Sequence, residues 1–281
     1  MLSVFSAGCA NVAVQSAKPV FRDQLAAMNM ESDLILAGDT IPSNIKLLEG
    51  LALSFPKDTD IKLWLAEALC GYSLGFVEDS DEDRASSLYL RARKYALDAA
   101  VLKTGFRREF LFDLEKLESW INSINRKNLP YLFWLGQSWG SWISINLDKT
   151  DAMADLPKVQ WIMKKVIELD EGYYHGGAHI FMGSVLASLP YMLGGNLSES
   201  KKHFDKSFRL TDRKYLLGHY FFMKTYCVKS QNKDLFDSIF EEIESFDMDE
   251  VPSVKLVNSI AKEKAESLKK MYKELFFDES D

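Results

Sequence analysis

Arg84-Ala85-Ser86-Ser87-Leu88-Tyr89-Leu90-Arg91-Ala92-Arg93-Lys94-Tyr95-Ala96-Leu97 is the stretch that decides the fold. Ala85, Tyr89 and Ala92 stand at i, i+4 and i+7, so on a helix they lie one above another on one face. A face built small–aromatic–small lets a second helix approach closely. That is the contact face of the second helix in a tetratricopeptide hairpin, a repeat of about 34 residues. Ser200, Phe204 and Ser207 repeat the pattern, and Val159, Met163 and Val166 follow it with apolar residues throughout. Ile167-Glu168-Leu169-Asp170-Glu171 resembles the usual end of a repeat.

The first helix of such a hairpin carries a large apolar residue followed by glycine. Leu135-Gly136 with Trp139 fits, and so does Met182-Gly183 with Leu186. Taking Phe221 as the next equivalent leaves irregular spacings, which places insertions in the loops from Asn146 to Leu156 and from Leu189 to Leu197. Elsewhere the apolar spacing is also helical, as in Leu63, Ala66, Leu69 and Leu74, or Leu111, Leu114, Leu117 and Ile121. No segment reads as a strand. Val254 to Phe276 forms a last helix with Leu256, Ile260, Lys264, Leu268 and Met271 along one stripe, suited to cap the stack. The fold expected is all-α: tetratricopeptide-like helical hairpins stacked into a compact solenoid with a C-terminal capping helix. It occupies residues 31–281 as a single domain, with residues 10–30 as a tether.

Composition agrees. The 281 residues are 47% hydrophobic and 27% charged, with seven prolines and fifteen glycines, which supports a packed core rich in long helices. A net charge of −7 argues against nucleic acid as a partner. No apolar run is long enough to span a bilayer. Three cysteines are too few for a disulfide framework. Cys70 and Cys227 fall within apolar helical patterns and read as buried thiols. Cys9 follows Leu2-Ser3-Val4-Phe5-Ser6-Ala7-Gly8, an apolar stretch ending in small residues. Residues 1–9 therefore read as the remnant of a lipoprotein signal sequence that ends at a lipidation cysteine, Cys9.

Catalytic signatures are absent: there is no Gly-rich phosphate loop, Gly-x-Ser-x-Gly elbow, Cys-x-x-Cys or His-Glu-x-x-His. His175 and His179 have metal-ligand spacing, but two glycines between them weaken a helix and packing roles are favoured. No metal and no cofactor is expected. The acidic run Glu78 to Asp83 lacks the glycine and the distal glutamate of a calcium loop, and reads as a solvated loop favouring the start of the next helix. Tyr131, Phe133, Trp134, Trp139 and Trp142 form an aromatic cluster, with Trp161, Tyr173 and Tyr174 further on. Such residues either fill a core or line an apolar cavity. In a solenoid the first helices line the concave face. With Leu135 and Met182 facing their partners, the inward positions are Phe133, Gln137, Gly140, Ser141, Ile180 and Ser184, then His219, Met223 and Tyr226. With Trp142 from the aromatic cluster these are the expected ligand-binding residues, apolar surface with a few polar groups.

Several stretches in order go beyond a generic repeat. They are residues 84–97 quoted above, Leu156-Pro157-Lys158-Val159, Glu168-Leu169-Asp170-Glu171, His179-Ile180-Phe181-Met182-Gly183-Ser184, Leu189-Pro190-Tyr191-Met192-Leu193-Gly194-Gly195 and Ser200-Lys201-Lys202-His203-Phe204. Together they resemble the T component (TatT) of tripartite ATP-independent periplasmic (TRAP) transporters, from about Leu47 to the C-terminal helix. The resemblance implies a non-catalytic periplasmic lipoprotein, lipid-anchored to a membrane through Cys9. It implies a homotrimer that docks the transporter's substrate-binding P component, with a cavity suited to a hydrophobic or amphipathic small molecule. A generic tetratricopeptide adaptor gripping a peptide in its groove is a second reading, and an enzyme site around His175, His179 or His219 a third.

Overall fold

A computed structural model describes residues 18–276. All regular structure among them is helical. The long helices are α1 (18–29), α2 (Leu34–Ser54), α3 (Thr59–Phe76), α4 (Glu82–Thr104), α5 (Leu114–Ser123), α6 (Leu129–Ser144), α7 (Thr150–Leu169), α8 (Tyr173–Ser188) and α9 (Leu197–Leu210). Then come α10 (Leu216–Phe221), which runs on into a π-helical turn (Phe222–Cys227), α11 (Lys233–Ser245), α12 (Lys255–Lys270) and the short α13 (Tyr272–Leu275). Caps fix the starts of many: the Asp33, Asp58, Asp81, Asp113, Asn196 and Asn232 side chains each accept from the first-turn backbone N–H groups.

The hairpins pair as α3–α4, α6–α7 and α8–α9. Ala85, Tyr89 and Ala92 on α4, Val159, Met163 and Val166 on α7, and Ser200, Phe204 and Ser207 on α9 are all buried. A Cβ at Gly136 would lie 2.6 Å from Ile162 and 3.2 Å from Met163, and one at Gly183 would lie 2.8 Å from the Phe204 ring. These glycines therefore set how closely each first helix meets its partner. The Ser200 hydroxyl donates to the Gly183 carbonyl at 2.7 Å across the same contact.

The expected tether is in part a docked helix. Residues 10–17 lie outside the described residues, as does Cys9. Over α1, Lys18 pairs with Asp58 at 2.8 Å and Asp60 at 2.7 Å, Phe21 lies against Trp64, and Gln24 donates to Asn44. Much of the expected loop from Asn146 to Leu156 is the first two turns of α7, where Ala152 and Leu156 are buried. The acidic run is solvated except at Glu78, and Asp79 is exposed but paired. Asp81 caps α4, with Glu82 and Asp83 in its first turn, whereas Tyr89 donates to Glu78 at 2.7 Å and Lys264 pairs with Asp79 at 2.6 Å. Cys70 and Cys227 are free, buried thiols.

The C-terminal helix does more than cover the last hairpin. Packed on α10 and α11, α12 also reaches back to α2 and α3. The Lys264 ammonium, 4% exposed, donates to the Leu74 carbonyl at 3.0 Å as well as to Asp79, and Ile260 fills the space that Gly75 leaves open. The two ends of the stack are thereby joined around a central space.

Candidate functional site

That space is an internal cavity of about 360 Å³, within the size range of small-molecule sites. It is walled by α1 (Phe21, Leu25), α2 (Ile41, Leu48), α3 (Glu67, Cys70, Leu74), α6 (Trp134, Gln137, Ser141), α8 (Ile180, Phe181, Ser184), α10 and its π turn (Leu217, Phe221, Lys224) and α12 (Leu256, Ile260). Ser141, Ser184 and Ser188 occupy the wall, and the last two present no free donor. Ser184 and Ser188 turn their hydroxyls onto the carbonyls one turn back, and Ser141 accepts from Gln137 at 3.2 Å. The surface left over is mainly apolar.

Four of the ten expected inward residues reach this wall: Gln137, Ser141, Ile180 and Ser184. Phe133 is fully buried behind it, against Trp134, Tyr173 and Tyr174. Gly140 also stands behind the wall, where a Cβ would lie 2.5 Å from the Phe181 ring. Trp142 is core, carrying the carbonyl that accepts from Asn146. His219, Met223 and Tyr226 are placed elsewhere as well. His219 packs against Phe208 at a tilt and hydrogen-bonds Glu242 of α11 at 3.3 Å, Met223 is fully buried in the core, and Tyr226 stacks on Phe222. In their place Leu217, Phe221, Lys224 and Thr225 turn inward. This helix is apolar on nearly every side, so its periodicity does not fix which face points in. Within the aromatic cluster, Trp134 and Tyr174 belong to the cavity, and Tyr131, Phe133, Trp139 and Trp142 to the core.

The cavity holds two polar stations. At one, Lys224 lies 3.4 Å from Glu78, whose other partner is Tyr89. Burial works against the Lys224 charge, but Tyr220 and Glu78 outweigh it and hold the ammonium above its usual pKa. At the other, Glu67 accepts a 2.9 Å hydrogen bond from Tyr174 and, among the described residues, forms no ion pair. Burial raises its pKa, and the tyrosine bond only partly offsets this. Tyr174 is 36% accessible although it sits in the body of the molecule, because that surface faces the cavity.

A local distortion makes the second station. The chain enters α8 through a left-handed turn in which Tyr174, His175 and Gly176 take φ of 47°, 58° and 69°. For two non-glycine residues this costs on the order of 1–3 kcal/mol each. It swings Tyr174 onto Glu67 and stacks His175 on Tyr215 at 4.6 Å. His175 and His179 therefore do not share a helix face. His179 pairs instead with His203, Nδ1 to Nδ1 at 2.8 Å. Among the described residues no three His, Cys, Asp or Glu side chains gather as a metal site would require.

Beyond the end of α8, where Ser188 still lines the cavity, Pro190 to Gly195 forms a rigid loop. The Gly195 N–H donates to the Pro190 carbonyl, and a Cβ at Gly195 would sit 1.9 Å from the Leu189 carbonyl oxygen, so only glycine fits. Gly194 takes φ 94°. The loop holds Tyr191, Met192 and Leu193 out in solvent, 89%, 94% and 59% exposed.

Two comparisons bear on this architecture. A protein of Treponema pallidum (strain Nichols), described only as uncharacterized, is 24% identical over 266 residues, covering 88% of this chain and 82% of its own. The family model of the TRAP transporter T-component matches residues 30–276, from the end of α1 through α13. With that match spanning α2 to α13, the chain belongs to the TRAP transporter T-component family, an accessory component of these transporters.

Proposed function

We propose that this protein is the non-catalytic, periplasmic lipoprotein accessory of a TRAP transporter. It scaffolds the substrate-binding P component and passes a small hydrophobic or amphipathic ligand through its cavity. The observation that carries the reading is the family match over residues 30–276. The mainly apolar cavity with two separate polar stations supports the ligand part of it. Gln137, Ser141, Ile180 and Ser184 remain the contact residues of choice, joined by Trp134, Tyr174 and Phe221.

Acylation of Cys9 tethers the chain to a membrane, and tethering raises the effective concentration of a weakly held partner. The P component docks on the exposed Tyr191-Met192-Leu193 loop, which continues from the helix end where Ser188 reaches the cavity. The protomers associate as a homotrimer, which sedimentation of the purified protein tests directly.

The decisive experiment is affinity purification from detergent-solubilised envelope, followed by mass spectrometry. An acylated Cys9 peptide together with a periplasmic substrate-binding protein supports the reading, and Met192→Asp should lose the partner while keeping the fold. Recovery from the cytosol, unacylated and alone, sinks it.

A further inference from the structure

The ionisable groups on the cavity wall are unequally provided for. Lys224 has Glu78, and Glu78 has both Lys224 and Tyr89. Glu67 has only the Tyr174 hydroxyl, which occupies one carboxylate oxygen. Among the described residues no lysine, arginine or histidine forms an ion pair with Glu67. A carboxylate drawn out of water without a cation is costly, and a ligand that brings the cation removes the cost. The surroundings favour an ammonium group over other cations. Trp134 and Tyr174 stand edge to face at 4.8 Å beside the carboxylate, and Tyr215 and Tyr174 line the same part of the wall. A carboxylate with aromatic rings beside it in an otherwise apolar wall offers an alkylammonium ion both its countercharge and its apolar contact.

Building on the cavity reading above, we propose that the ligand is an amphipathic amine whose ammonium group pairs with Glu67 and whose hydrocarbon tail lies along the apolar wall toward Phe181 and Ile260. The inference deepens that reading by fixing the polarity of the ligand. A fatty carboxylate is rejected at this station by like charge. At the opposite station it would have to compete with Glu78 for Lys224.

Titration follows from the same geometry. Besides Tyr174, Glu67 acts on Cys70 of its own helix, Tyr173 at the start of α8 and Tyr215 before α10, and His175, stacked on Tyr215, lines the same cavity. Burial raises the pKa of Glu67 in the empty site, and an ammonium group beside it would lower it again. Amine binding therefore weakens as the pH falls and Glu67 takes up a proton.

The test is calorimetric titration of the purified full chain with decylamine, decanol and decanoate, each below its aggregation concentration. Decylamine should bind about tenfold or more tightly than decanol. Glu67→Gln keeps the acceptor for Tyr174 and should abolish the amine preference while leaving decanol binding unchanged. Tyr174→Phe should retain the preference, which guards against a Glu67 variant that folds poorly. Equal binding of amine and alcohol, a preference that survives Glu67→Gln, or decanoate as the tightest ligand overturns the inference. In those cases the cavity still binds amphiphiles and the broader reading stands. Failure of all three probes to bind overturns both.

Discussion

Removing the Lys264 ammonium tests whether α12 joins the two ends of the stack. In Lys264→Met the stem still packs in its buried position near the Tyr220 ring, but the bonds to the Leu74 carbonyl and to Asp79 are lost. Hydrogen bonds to a charged group contribute about 1.5–3 kcal/mol. Stranding a buried charge would cost about 3–5 kcal/mol, but the Asp79 side chain is 59% exposed and regains water when its partner leaves. The part-buried Leu74 carbonyl is then the main group left unsatisfied, and the expected loss is about 2 kcal/mol. For a chain of this size that lowers the melting temperature by roughly 4–8 °C. Urea denaturation measures the free energy, and an environment-sensitive apolar dye reports whether the cavity opens. Asp79→Asn should cost less than Lys264→Met, because Lys264 keeps its bond to the carbonyl. A Lys264→Met loss below about 0.5 kcal/mol, the size of an ordinary surface change, would refute the claim that this side chain ties α12 to α3.

Gly183→Val should destabilise by about 1–3 kcal/mol, because its Cβ already meets the buried Phe204 ring at 2.8 Å; thermal denaturation reads this out. The His179–His203 pair should make stability pH-dependent. Burial and the neighbouring His203 push His179 down to about 4, below its unfolded value near 6.5. A depressed histidine binds its proton more readily in the unfolded chain, so stability is full above about pH 6.5 and falls toward pH 4, by at most about 3 kcal/mol. His179→Asn should flatten that slope. Burial raises the pKa of both Cys70 and Cys227, the latter to about 12, so neither should react with a charged thiol reagent until the protein unfolds. Fast labelling of the native protein would contradict the burial of both thiols.

Much of the fold is legible in the chain because a tetratricopeptide contact is local and repetitive. Small and aromatic residues at i, i+4 and i+7 have one way to pack, and glycine in the facing helix leaves one depth of approach. That logic places Tyr89, Met163, Phe204, Gly136 and Gly183 correctly, and it carries Gln137, Ser141, Ile180 and Ser184 to the cavity. It stops where the sequence is apolar all round, as from Tyr215 to Val228. There helix rotation is set by what packs outside, and a π turn shifts the register without changing composition.

What the sequence alone determined is the all-α class, the hairpins and the family resemblance, since each rests on spacing within a few turns of chain. The polar stations were decided by the tertiary structure. Glu67 and Tyr174 are 107 positions apart, and Lys224 and Glu78 are 146 apart. The left-handed turn at Tyr174–Gly176 is tolerated only because distant helices hold it. The closure by α12 belongs to the same class. Lys264 lay on an expected helical stripe, but that its charge would be buried on Leu74 and Asp79, 190 and 185 positions away, follows from the curvature of the stack. Curvature sums small packing angles over every hairpin, and no short stretch of sequence encodes that sum.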